Sequence, residues 1–187
     1  MEGAILFKDY IYILTWKEHQ VYKLDPKTYE IVEVIGWTKR GWGLTTNSTH
    51  MFTTDGSDLI YVVDENFKIL DKKYITTMSG SKQYYINELE YVDGYIYANI
   101  YLDHIVVKID YEKGQVVKQY DGSQLIDAEK AANPHLKRDE VFNGLAYDEG
   151  GDVFIMTGKK WTQFFQVDLW LSLACSGMFL PVLLFLL

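Results

Sequence analysis

The chain has 187 residues, 48% of them apolar, and a formal charge of −8. That length suits one domain with a substantial core, and the acidic balance argues against nucleic acid as a partner, because phosphate binding needs a basic surface. The single cysteine, Cys175, excludes an internal disulfide framework and a Cys-rich metal site; His19, His50, His104 and His135 are scattered without metal-ligand spacing.

Fifteen Tyr, nine Phe and five Trp favour strands over helices. In chain order, four stretches superpose as repeats: 10–25 (YIYILTWKEHQVYKLD), 49–64 (THMFTTDGSDLIYVVD), 95–110 (YIYANIYLDHIVVKID) and 153–168 (VFIMTGKKWTQFFQVD). Each is an alternating apolar run, a polar turn, a second apolar run and a closing Asp. A repeat of this kind cannot bury its apolar face alone, so it predicts a propeller or solenoid. Each repeat reads as a four-stranded antiparallel blade. First strands open at Glu2-Gly3-Ala4-Ile5, Trp42-Gly43-Leu44-Thr45, Asn87-Glu88-Leu89-Glu90 and Asn143-Gly144-Leu145-Ala146. Second strands follow at 10–14 and 95–99, third strands at 21–24, 59–63 and 105–109, and fourth strands at 31–35 and 115–120. Asp25-Pro26-Lys27-Thr28 and Asp110-Tyr111-Glu112-Lys113-Gly114 carry good turn chemistry between the last two. The gap from 121 to 140 reads as a short helix with a loop. The expected fold is therefore all-β: a propeller over residues 1–167, with about four blades present and an apolar tail over 168–187. Nothing in the chain supplies the strand that usually closes such a ring, which suggests a blade missing at the N-terminus.

In an antiparallel blade the first strand leaves one rim and the second returns to it. The openers Glu2, Trp42, Asn87 and Asn143 should therefore share a rim with the turns after the second strands, at Trp16, Asp55, Tyr101 and Lys159. Loops on one rim of a rigid scaffold are where sites are built. Equivalent positions of a structural repeat tend to keep one residue type, yet these eight diverge into carboxylates, amides, aromatics and an ammonium. Polar groups converging on an aromatic cleft describe a small-ligand site. The competing reading is that Trp16, Trp42 and Tyr101 pack between blades. Glu88 and Glu90, alternating along a strand, read as facing water.

The segments Glu2-Gly3, Leu14-Thr15-Trp16-Lys17-Glu18, Gly41-Trp42-Gly43-Leu44-Thr45-Thr46, Thr54-Asp55-Gly56-Ser57, Asn87-Glu88-Leu89-Glu90-Tyr91, Tyr97-Ala98-Asn99, Asn143-Gly144-Leu145-Ala146-Tyr147-Asp148 and Thr157-Gly158-Lys159 resemble, in order and spacing, the plant and bacterial type of glutaminyl cyclase. That family is a five-bladed β-propeller. The resemblance implies a glutaminyl-peptide cyclotransferase, which converts an N-terminal glutamine into pyroglutamate and releases ammonia. It places the catalytic glutamate at Glu2, pocket tryptophans at Trp16 and Trp42, a pocket asparagine at Asn87 and a pocket lysine at Lys159. Tyr101 stands where the family has a tryptophan, and Arg40 where it usually has an acidic residue. The family's first blade precedes the glutamate. Without it, Glu2 is expected to be loosely held. The implied partners are peptides or proteins with N-terminal Gln. The chemistry requires no metal or organic cofactor, while a structural cation in the channel is compatible with the fold. The alternatives are a peptide-binding propeller without chemistry and an inactive shortened form.

Residues 169–187 carry no charge and are long enough to span a bilayer as a helix, although Pro181 and the absence of a following basic residue argue against it. The tail reads either as a membrane anchor or as a segment foreign to the fold. The opening residues read as a strand pattern rather than as a signal peptide. The resemblance implies a secretory or extracellular setting, the tail a membrane-associated one.

Overall fold

The computed structural model describes residues 2–170. Four antiparallel sheets follow one another along the chain. The first holds β1 (Ala4–Phe7), β2 (Tyr10–Leu14), β3 (Gln20–Leu24) and β4 (Ile31–Gly36). The second holds β5 (Leu44–Thr46), β6 (Met51–Thr54), β7 (Leu59–Val63) and β8 (Ile69–Tyr74). The third holds β9 (Ile86–Val92), β10 (Tyr95–Ile100), β11 (Ile105–Asp110) and β12 (Gln115–Asp121). After α1 (Ser123–Ala132), the fourth holds β13 (Phe142–Asp148), β14 (Val153–Gly158) and β15 (Phe165–Val167). Each sheet is a simple meander, and β1, β5, β9 and β13 are successive neighbours around the centre. This is a β-propeller. The expected four strands per blade are present in three blades; the fourth has three strands among the described residues. The helix expected between 121 and 140 is α1. Residues 171–187, and with them most of the apolar tail, lie outside the described residues. Among the described residues no helix is long and apolar enough to cross a membrane.

Period-two alternation sorts side chains into the interfaces between blades. In β7, Ile60 and Val62 join the cluster against the third blade, while Tyr61 and Val63 join the cluster against the first. In β10, Ile96 and Ala98 face the second blade and Tyr97 faces the fourth. β7 and β10 are thus buried on both faces. The outermost strands β4 and β8 are almost wholly exposed. Fully burying one such aliphatic or aromatic side chain contributes about 1.5–3 kcal/mol, so the interfaces dominate stability.

The closing Asp of each repeat folds the turn that follows. Asp25 Oδ1 accepts the N–H of Lys27 (2.7 Å) and Thr28 (3.0 Å). Asp64 accepts from Asn66 and Lys68 (both 2.9 Å), Asp110 from Lys113 (3.0 Å), and Asp168 from Trp170 (2.7 Å). The two backbone bonds hold the Asp25 carboxyl below the usual range, and the Lys113 ammonium (2.7 Å), followed by the Lys113 N–H, does the same for Asp110.

The inner strands approach closely enough to hydrogen-bond between blades. Gly3 N–H donates to the Trp42 carbonyl (2.8 Å). The Thr54 hydroxyl accepts from Gly43 N–H (2.9 Å) and donates to the Asn87 carbonyl (3.1 Å). The Thr45 hydroxyl accepts from Tyr91 N–H (3.0 Å). A Cβ on Gly43 would collide with the Asn87 carbonyl. Gly43→Ala should therefore cost about 2–3 kcal/mol in chemical denaturation, as an overpacked backbone contact does. Gly36→Ala, where nothing lies within 4 Å, should stay within about 0.5 kcal/mol of the parent.

Candidate active site

Glu2, Trp16, Trp42, Asn87, Tyr101 and Lys159 line one cavity of about 110 Å³. They come from all four blades, brought together because each inner strand starts, and each second strand ends, at the same rim. The competing reading fails for Trp16, whereas Trp42 and Tyr101 are half-buried and meet across blades while still lining the cavity. Trp16 is 39% exposed, and the tryptophan packed between the first two blades is Trp37, at 3%. Trp37 meets Tyr61 and Phe67 edge to face.

Each lining side chain has a local reason for its place. Glu2 is not loosely held at the backbone: its N–H donates to the Leu14 carbonyl (2.9 Å), and Gly3 is bonded to its neighbours on both sides. The Trp42 ring lies over Gly56, whose φ of +84° and bare Cα both need glycine; a Cβ there would stand 2.6 Å from the ring. Trp42 meets Tyr101 edge to face at 5.4 Å. The Lys159 ammonium sits 5.1 Å from the Tyr101 ring centre, a cation–π contact that fixes its direction without consuming its charge. Trp16 carries the Lys17 ammonium over its ring at 4.2 Å.

The other two predicted rim residues do not line the cavity. Asp55 is consumed by its own turn, accepting from the Ser57 hydroxyl (2.5 Å), Ser57 N–H (3.0 Å) and the Tyr61 hydroxyl (3.0 Å). Asn143 anchors other residues: its Oδ1 accepts from Nδ2 of Asn87 and, at 3.3 Å, from Nδ2 of Asn99. Asn87 is therefore oriented from behind, and among the described residues no second acceptor meets its amide nitrogen.

The expectation that Glu88 and Glu90 face water is incorrect. Both are half-buried on β9. Burial, then repulsion from Glu2, pushes the Glu88 carboxyl up to about 7 against the pull of Lys159. Burial also lifts Glu90 to about 7, although the Tyr147 N–H bonded to its carboxylate opposes the shift. A period-two pattern reports two faces of a strand but not which faces a neighbouring inner strand, so the pattern alone could not reveal this.

Two supports went unread in the sequence. Asn99 is fully buried; its Oδ1 accepts Glu88 N–H (3.0 Å), and its Nδ2 reaches the Phe142 carbonyl and Asn143 (both 3.3 Å). Glu129 of α1 is also fully buried and accepts from the Thr162 N–H (2.8 Å) and hydroxyl (3.1 Å), fixing the loop that begins at Lys159. The only sequence signal for Glu129 was its place on the inward face of a short helix. Among the described residues, no grouping of three His, Cys, Asp or Glu could hold a metal ion.

A propeller with an aromatic-walled cavity, a carboxylate, an amide and an ammonium at one mouth has the lining expected of a propeller with a small-ligand site on its rim. The family follows from sequence: the glutamine cyclotransferase family model matches residues 1–169, and the chain belongs to that family. It is 27% identical over 181 residues to a glutaminyl-peptide cyclotransferase of Arabidopsis thaliana, covering 94% of this chain and 55% of that protein. The chain thus spans about half the length of this curated relative. It superposes on the crystal structure of Myxococcus xanthus glutaminyl cyclase with a TM-score of 0.83 at 29% identity, over 89% of this chain and 71% of that one. The WD40 β-propeller domain of Doa1, at 10% identity and a TM-score of 0.52 over 84% of this chain and 47% of that one, shares the fold alone.

Glu90 supplies a stability test. Its folded carboxyl titrates above its ordinary value of 4.5, so the fold is favoured while it is protonated and loses that advantage as pH rises to about 7. Glu90→Gln, which keeps an acceptor for Tyr147 N–H, should raise the melting temperature at pH 8. The gain should shrink as pH falls through 7 and disappear below about 4.5, as read by thermal melts across that range.

Proposed function

We propose that this chain carries the site of a glutaminyl-peptide cyclotransferase acting on peptides or proteins with N-terminal glutamine. The observation that supports the reading is that Glu2, Trp16, Trp42, Asn87, Tyr101 and Lys159 share one cavity in a chain of this family.

The reaction is intramolecular: the α-amine attacks the side-chain amide carbon, a ring closes and ammonia leaves. An α-amino group titrates near pH 8, so a usable neutral fraction exists at physiological pH. The site's first task is to fold the glutamine into its ring-like pose, since a near-attack geometry removes orientational cost from the barrier. The flat faces of Trp16, Trp42 and Tyr101 enclose the aliphatic part and exclude water. Glu2 binds the amine and moves a proton from the attacking nitrogen to the leaving one. The spare amide hydrogen of Asn87 and the Lys159 ammonium are the donors available to the oxyanion that develops on the amide carbonyl. Tyr101, in place of a tryptophan, keeps an aromatic wall, and its face orients Lys159.

Incubation with Gln-Ala at neutral pH should release ammonia and yield a pyroglutamyl product visible by mass. Glu2→Gln should lower kcat by about 10²- to 10⁴-fold, the range of a lost general acid–base group, while peptide binding is nearly retained. Equal turnover in Glu2→Gln would remove Glu2 from the mechanism. Binding of Gln-Ala with no ammonia from the parent chain would favour a peptide-binding propeller instead.

A further inference from the structure

α1 stands outside the repeat, in the passage from the third blade to the fourth. It buries two side chains, Leu125 and, one helical turn later, Glu129. Leu125 joins the apolar cluster between those blades. Glu129 is fully buried, and its side-chain partners among the described residues are uncharged. They are the Thr162 N–H (2.8 Å to Oε1), the Thr162 hydroxyl (3.1 Å to Oε1, 3.4 Å to Oε2) and the Asn133 amide (3.3 Å to Oε1). A carboxyl group wholly out of water is costly unless donors surround it. Packing alone would favour an apolar residue beside Leu125, so the reason for Glu129 lies in what it holds.

Thr162 belongs to the turn from β14 to β15 that carries Lys159 to the cavity. The base of the turn is closed as in the first blade: the Thr157 hydroxyl donates to the Gln163 carbonyl (2.8 Å), as Thr15 donates to Gln20 (2.7 Å). Lys159 N–H donates to the Val141 carbonyl (2.9 Å), and Trp161 N–H to the Gly158 carbonyl (3.2 Å). The Trp161 indole lies against Gly158, where a Cβ would stand 2.2 Å from the ring, and donates to the Glu140 carbonyl (2.8 Å). The Lys159 side chain has no such tether. Among the described residues its ammonium makes no hydrogen bond or ion pair, and the face of Tyr101 lies 5.1 Å away. Where that ammonium stands is therefore set by the backbone of its turn, and Glu129 is the tie that reaches this turn from outside the blade.

We propose that Glu129 is a positioning residue for Lys159: by holding Thr162 it sets where the ammonium stands in the cavity, and it touches neither substrate nor reacting atoms. The proposal rests on the cyclotransferase reading, in which Lys159 donates to the oxyanion. Such a donor works only at hydrogen-bond distance from the place where charge develops. A displacement of about 1 Å, caused far from the chemistry, can slow a reaction about 10²-fold. α1 thus serves the site, although it adds no residue to the cavity lining.

The test is a double-mutant cycle on kcat and KM for Gln-Ala. Glu129→Ala should lower kcat about tenfold and leave KM within about twofold, because a displaced oxyanion donor is missed in the transition state. Lys159→Met should lower kcat about 10²-fold or more, as a lost donor does. Glu129→Ala added to Lys159→Met should then slow the enzyme by less than about twofold, since the group it positions is gone. A second tenfold loss in that background overturns the proposal, because a general structural role acts whatever stands at 159. Unchanged kcat in Glu129→Ala also overturns it. Glu129→Gln keeps an acceptor for the Thr162 N–H and should recover most of the rate. If Glu129→Ala does not fold, Thr162→Val takes its place in the cycle; it removes only the hydroxyl donor and should lower kcat about threefold. Proton NMR adds a readout free of turnover. The Tyr101 ring should shift the Lys159 ε-methylene protons upfield, and Glu129→Ala should return them toward the ordinary lysine position. A resonance that stays in place overturns the proposal. If the parent releases no ammonia while that resonance moves as stated, the cyclisation reading fails and the positioning of Lys159 by Glu129 stands.

Discussion

The close approach of the inner strands is the constraint on which this molecule depends. Between the first and second blades, Gly3 N–H reaches the Trp42 carbonyl; between the second and third, Thr54 links Gly43 to Asn87 and Thr45 receives Tyr91. Between the third and fourth, the Glu90 carboxylate receives Tyr147 N–H. Backbone groups near the axis are far from bulk water, and an unpaired one costs as much as a lost hydrogen bond. Only glycine at 3 and 43 lets the partners come near enough to pair. The same approach sets the rim, because the residue before each glycine, Glu2 or Trp42, is carried to the cavity edge by it.

The rim is supported from below by amides and from the side by a helix. Asn99 and Asn143 share the work of orienting Asn87, using hydrogen bonds that leave one amide hydrogen unspent. Glu129 reaches from α1 to Thr162, behind the Lys159 loop, and the Trp161 indole bonds the Glu140 carbonyl at 2.8 Å. Buried polar groups of this kind stabilise only when fully partnered, and when partnered they fix geometry. The cavity residues, by contrast, make few polar bonds with their side chains. The supporting groups are partnered, and among the described residues few of the lining side chains are.

Placing a carboxylate on an inner strand works against the packing that builds the propeller. Glu88 and Glu90 are half-buried and mutually repelling, and Glu88 also faces the charge of Glu2. A charged group out of water is costly unless paired, and only Lys159 and the Tyr147 N–H offset it. Stability alone would favour an apolar or small residue at 88, as the other blades have. Departures from a repeat's own packing rule belong where function overrides it.

The repeat, the all-β class and the meandering blades were legible in the sequence because period-two alternation and a closing Asp recur at every blade, and both are local effects. The shared rim of Glu2, Trp16, Trp42, Asn87, Tyr101 and Lys159 was legible too, because strand direction in a meander is fixed by connectivity. Tertiary structure decided the rest. It turned Asp55 into its own turn and Asn143 behind Asn87, and it placed Glu88 and Glu90 toward other inner strands rather than solvent. It also brought α1 under the Lys159 loop. These outcomes depend on which blade stands next to which, and at what distance. Alternation along one strand carries no record of its neighbour's backbone.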